Sequence, residues 1–140
     1  MTALPASARA LIEEGTHLAH LVTINPDGGP QLSCVWVGLD GEEVVSAHLR
    51  ESQQKIRNVR RDPRVVLSVE SGTKASWGVD EYLVVYGTAR LTEGGGRELL
   101  QRLARTYMGP DVTFPGDDAP AGCIMHITVD RVGGVGPWVA

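Results

Sequence analysis

Turn signals cut this chain into short extended runs, and that punctuation limits its fold more than any single residue does. Asn25-Pro26-Asp27-Gly28-Gly29 separates one run, His17 to Ile24, from a second, Gln31 to Leu39. Asp40-Gly41, a strong two-residue hairpin signal, leads from there into Glu43 to Ala47. Val65 to Glu70 and the longer Tyr82 to Thr92 follow, and Cys123 to Val129 closes the series. Runs rich in β-branched and aromatic residues, bounded by Gly, Pro, Asn and Asp, read as strands. Helical patterns are confined to residues 5–14, ended by Gly15; to 53–62; and to 93–108, where Leu99, Leu100 and Leu103 form the apolar side. Residues 109–122 carry Pro, Gly and Asp without periodicity and read as a loop. Six antiparallel strands joined by tight turns, with helices only at the corners, predict a mainly β protein, a small barrel rather than a parallel α/β sheet. With no internal repeat and no composition break, residues 1–140 form one domain.

One segment stands apart in charge. Residues 48–64 hold six of the thirteen Lys and Arg of a chain whose net charge is −4. Arg50, Lys55, Arg57, Arg60, Arg61 and Arg64 crowd together between two strands. Such an island is repelled by its own charge unless an anion sits there or water screens it. Ser52 is placed to cap a helix that Pro63 then ends, because the residue before a proline is disfavoured in the α region. On a helical wheel Ile56 and Val59 mark the buried face, Lys55 and Arg60 flank it, and Arg57, Asn58 and Arg61 lie further round. The helix start offers free N–H groups to a phosphate. The alternative is a solvated basic helix covering a sheet end.

Much is excluded. The chain has no dinucleotide glycine fingerprint, P-loop, nucleophile elbow or His-Glu-x-x-His zinc motif. His17 and His20 lie three apart on a strand and so point to opposite faces, and no His has carboxylate or thiol companions at metal-ligand spacing. No catalytic side chain and no metal ligand is therefore expected, and hard chemistry would have to come from an organic cofactor. An acidic chain is a poor general nucleic-acid binder. No apolar run approaches a membrane span, and residues 1–15 lack a signal-peptide pattern, so a cytoplasmic protein is expected. Cys34 and Cys123, only two and far apart, read as buried free thiols.

The order of these segments carries a resemblance. Gly28 to Trp36 fits a Gly-x-Pro-x-x-Ser-x-Val-Trp pattern, Lys55 to Arg64 fits Lys-x-x-Asn-x-x-x-Asp-Pro-Arg, and Gly87 and Ala89 supply a Gly-x-Ala in the long strand. In this order the chain, over roughly residues 6–138, resembles the split β-barrel flavin and deazaflavin oxidoreductases related to pyridoxamine 5′-phosphate oxidase. It is most similar to the actinobacterial branch that binds the deazaflavin coenzyme F420. The resemblance implies a homodimer of six-stranded, FMN-binding-like split barrels with cofactor grooves between subunits. It implies that Ser52, Gln53, Lys55, Asn58, Arg60 and Arg61 grip a cofactor phosphate, and that Ser33, Val35 and Trp36 lie along the ring system. Gln53 stands where related sequences often place Arg. The implied activity is hydride transfer between F420 and an electron-poor small molecule. The alternatives are an FMN-dependent oxidase of the pyridoxamine phosphate type and a cofactor carrier without turnover.

Several residues support two readings. By alternation Trp36 shares a strand face with Leu32 and Cys34, which makes that face the core, while Ser33 and Val35 lie on the other, ligand-facing side. Trp77, in a loop between Gly72 and Gly78, either closes over a substrate or packs on a partner subunit. Tyr86 either lines a substrate pocket or belongs to a plain barrel face, and Trp138, in the tail, either locks a dimer or touches substrate. Gly87, mid-strand, predicts a bulge or a close backbone approach.

Overall fold

A computed structural model describes residues 2–139. Its seven strands are β1 (Ala19–Ile24), β2 (Pro30–Val35), β3 (Gly38–Asp40), β4 (Glu43–His48), β5 (Arg64–Lys74), β6 (Asp80–Glu93) and β7 (Cys123–Val135). Three helices, α1 (Ala6–Glu14), α2 (Gln54–Arg61) and α3 (Gly96–Tyr107), sit at the corners. All strand pairs are antiparallel and form one sheet in the order β2-β1-β5-β6-β7-β4-β3.

That order forces the sheet to curl. Its two edges, β2 and β3, are joined through Trp36 and Val37 alone. Val35 and Gly38 are thus at most about 11 Å apart along the chain, whereas six strand spacings laid flat would separate the edges by about 29 Å. The edges approach without pairing to each other, so the barrel stays open.

The expected single strand from Gln31 to Leu39 is therefore two strands on opposite edges, and the expected count of six becomes seven. Tyr107 explains the break. Its phenol oxygen accepts a hydrogen bond from the Val37 N–H at 3.0 Å and lies 3.2 Å from the Val37 carbonyl, taking the place of a neighbouring strand. The closing strand also runs further than expected, to Val135, because Gly133 and Gly134 pair with Val84 and Leu83 rather than forming a tail. At Gly87 the ladder with β7 shifts register, and a Cβ there would lie 2.7 Å from the Thr128 carbonyl oxygen, so the bulge and the close approach are both real.

The barrel is filled by Leu21, Leu67, Leu83, Val85, Met125 and Ile127, all fully buried. α2 plugs one side with Ile56 and Val59, while α3 rests Leu99 and Leu103 on Val45. Trp138 belongs to this core rather than to a loose tail; it is 6% exposed and its indole N–H donates to the Tyr82 carbonyl at 3.1 Å. Among the described residues no helix is long and apolar enough to cross a membrane.

Candidate functional site

A cavity of about 370 Å³ opens where the end of β4, the start of α2 and the Trp36 link converge. Lys55, Arg50, Gln53 and His48 supply its polar groups, and Leu18, Cys34, Val35, Trp36, Ala47, Leu49 and Leu100 the rest. No carboxylate is among them.

Lys55 dominates the electrostatics. Burial pushes its ammonium below the ordinary lysine value, an effect opposed by the nearby Cys34 sulfur. Only 9% exposed, it makes no hydrogen bond or ion pair among the described residues. A cation so largely withdrawn from water gains from an anionic partner, and its place in the cavity wall leaves room for one. His48 deepens the effect. Its ring nitrogen Nε2 sits 2.7 Å from Ser46 Oγ. Burial, and then the charge of Lys55, drive its pKa from 6.5 down to about 3, so the ring is neutral at ordinary pH.

Trp36 forms the aromatic wall. Its ring stacks on Tyr107 with centroids 5.2 Å apart and an interplanar angle of 17°, and Phe114 meets it edge-on at 6.1 Å. The ring is therefore held from behind by α3 and by the loop after it. The strand faces are the reverse of those expected: Val35 is buried and Ser33 pairs with Leu21 on the interior side, while Leu32 and Cys34 are exposed. Alternation says which residues share a face but not which face is wet, and here β2 is an edge strand with its Leu32 side uncovered. The Ser33 hydroxyl, buried without a partner, does not line the cavity.

The basic helix divides in function. Asn58, expected well round from the buried face, is completely buried. Its amide donates to Thr23 Oγ1 and Asn25 Oδ1, both at 3.0 Å, and its oxygen accepts from Gln54 Nε2 at 2.7 Å. That ties α2 to β1 and leaves Asn58 nothing for a ligand. Arg60 pairs with Glu51 at 2.5 Å beside a separate cavity, Arg61 donates to the Ile24 carbonyl, and Arg64 binds Asp62. Ser52 is exposed and caps nothing; Gln53 occupies the N-cap, with no side-chain capping bond. Of the expected phosphate ligands only Lys55 and Gln53 reach the cavity, joined by Arg50.

Three expected substrate residues lie elsewhere. Trp77 is 68% exposed at the tip of the β5–β6 hairpin. Tyr86 lines a different, mainly apolar groove with Val22, Ile24 and Val66, beneath the Arg131 guanidinium at 3.8 Å. Trp138 is in the core. No group of His, Cys, Asp and Glu among the described residues could hold a metal ion.

Residues 4–136 match the pyridoxamine 5′-phosphate oxidase family. The chain belongs to that family. Solved structures share its fold. An F420 reductase is 27% identical over 93% of this chain and 98% of its own, with a TM-score of 0.74. A conserved hypothetical protein from Mycobacterium tuberculosis is 23% identical, covering 96% and 85%, with a TM-score of 0.73. A heme binding protein from Mycobacterium smegmatis is 22% identical over 99% of this chain but 57% of its own, with a TM-score of 0.65. The last two share the fold alone.

Proposed function

We propose that this chain is an oxidoreductase that uses coenzyme F420, seating the deazaflavin in the Lys55 cavity and working on an electron-poor small molecule. The observation that carries the reading is the buried, unpartnered Lys55, backed by Arg50 and with no carboxylate beside it. That donor set fits the anionic arm of a flavin-type cofactor, and the 27% identity to an F420 reductase favours the deazaflavin over FMN. F420, when bound, supplies two-electron hydride chemistry. The chain's own part is binding and orientation. Lys55 and Arg50 hold negative charge, Gln53 adds a neutral amide to the cavity wall, and Trp36, braced by Tyr107, offers a flat apolar wall. The proton that completes a hydride reduction would come from water, since the neutral His48 offers none.

The same reading makes the protein a homodimer. Leu32, Val22, Val66 and Tyr86 stand opposite one another across β2, β1, β5 and β6, forming an apolar row on the outer face of the sheet. Leu32 is 61% exposed, and Cys34, next along that face of β2, borders the cavity. A second copy covering the row would adjoin the cofactor site. Val66→Asp is expected to turn a dimer into a monomer in sedimentation; a wild-type monomer at micromolar concentration would remove the dimer. Free thiols at Cys34 and Cys123 suit a reducing cytoplasm.

Titration with F420, followed by tryptophan fluorescence, tests the seat. Binding by the wild type and weak binding by Lys55→Ala are expected, and equal affinities would sink the assignment. Turnover of reduced F420 with a panel of enones, imines and quinones then separates an enzyme from a carrier.

A further inference from the structure

Cys34 is the one cavity residue whose side chain can exchange with a disulfide. It is exposed, whereas Cys123 is 1% exposed in the core. Cys34 lines the same cavity as Lys55 and Arg50, and its sulfur lies close enough to Lys55 to act on that ammonium electrostatically. Lys55, itself more than nine-tenths buried and unpartnered, points to an anion at this spot independently of the thiol. Exposure lets a reagent reach a thiol, and the cations beside it favour a reagent that is anionic.

We propose that Cys34 is a modification site that exchanges with small, negatively charged disulfides, and that the resulting mixed disulfide fills the cavity. Charge selects the reagent: Lys55 and Arg50 attract an anionic disulfide, and no carboxylate in the cavity wall repels it. The Cys34 thiol releases its proton to water, and the thiolate attacks one sulfur of the reagent. A bond forms between Cys34 Sγ and that sulfur as the reagent's own S–S bond breaks, and the second half leaves as a thiolate. Cys34 is oxidised and the departing half reduced, and a dithiol reverses the exchange. The adduct's charged end then occupies the place beside Lys55. That this excludes F420 rests on the function proposed above; the selectivity of the thiol does not.

The test uses the full chain and two reagents, dithiobis(nitrobenzoate), which is dianionic, and dithiodipyridine, which is uncharged. One fast equivalent is expected in the wild type and none in Cys34→Ser, with Cys123 reacting only on unfolding. Lys55→Met is expected to slow the dianionic reagent about tenfold and to leave the neutral one near its wild-type rate. Lys55→Arg, which keeps the charge, is expected to preserve the preference and guards against a general folding defect. Equal slowing of both reagents, no slowing of either, or an adduct on Cys123 would overturn the proposal. Added F420 is expected to protect Cys34. Selective reaction without protection would leave the modification standing and remove the F420 seat instead.

Discussion

The two ends of α2 carry the same kind of charge and have opposite surroundings. At the C-terminal end, Arg60, Arg61 and Arg64 are satisfied within the chain by Glu51, the Ile24 carbonyl and Asp62. At the N-terminal end Lys55, buried against a cavity, has no such partner, and Arg50 forms no ion pair among the described residues. The lesson is that a count of cations does not make an anion site. What matters is a cation withdrawn from water and left unmatched, because only there does a ligand recover free energy that solvent cannot supply. Mutations at the two ends should therefore differ in kind.

The largest effect is expected from acid at the cavity end. The unfolded chain takes up a proton on His48 below 6.5, but the folded chain does so only below about 3. Between those values the folded state is the poorer proton binder, so its stability falls as pH drops through that window. The separation corresponds to ~5 kcal/mol at full span. Chemical denaturation of wild type and His48→Gln at pH 7 and pH 4 measures it, and the variant should lose much less stability. A wild type and variant that weaken in parallel would remove His48 as the acid-labile group. The coupling can be sharpened further, since Lys55→Ala removes one of the two causes and should raise the imidazole titration seen by NMR.

Next comes the residue that joins the two ends. Asn58→Ala deletes three hydrogen bonds, one buried and two part-buried, while Thr23 keeps its bond to Gln31. A loss of ~3 kcal/mol is expected in denaturant melts, at about 1 kcal/mol for each bond. If F420 affinity fell while stability held, Asn58 would be a ligand after all. Lys55→Ala should behave in the opposite way. Affinity for F420 is expected to drop by ~2 kcal/mol, the strength of a charge-assisted hydrogen bond, whereas stability should hold or rise because an unmatched buried charge has gone.

These contrasts also mark what could be read from the sequence. Turn residues located nearly every element, since Asn-Pro-Asp-Gly-Gly and Asp-Gly act locally. The glycine at 87 announced its bulge for the same reason: a missing Cβ is a local fact. The division of residues 31–39 between two sheet edges was not legible, because the partner that ends β2 is Tyr107, some seventy residues away. Alternation grouped Leu32 with Cys34 correctly but could not say that β2 is an edge strand with that side uncovered, nor that Trp36 falls beyond its end. Lys55 was singled out because it lies in a recognisable motif, and it does line the cavity. His48 was missed as a histidine without companions, although its place between a strand and the basic segment was a usable signal. Asn58 was placed too far round the helix for a simple reason: a wheel treats polarity as exposure, and three hydrogen-bond partners reverse that.

The smallest effect is the most pointed control. Arg60 is a cation of the same helix, five residues from Lys55, but its side chain is 48% exposed and held by an equally open Glu51. An exposed ion pair contributes no more than about 1 kcal/mol, much of it lost in salt. Arg60→Ala should thus shift stability by a few tenths of a kcal/mol and leave F420 affinity unchanged, while Lys55→Ala weakens it. The comparison is best run at low and moderate ionic strength. A diffuse basic surface would make the two substitutions equivalent, with both effects fading together as salt is added. A single buried contact would keep the Lys55 deficit at moderate salt, after the Arg60 contribution has been screened away.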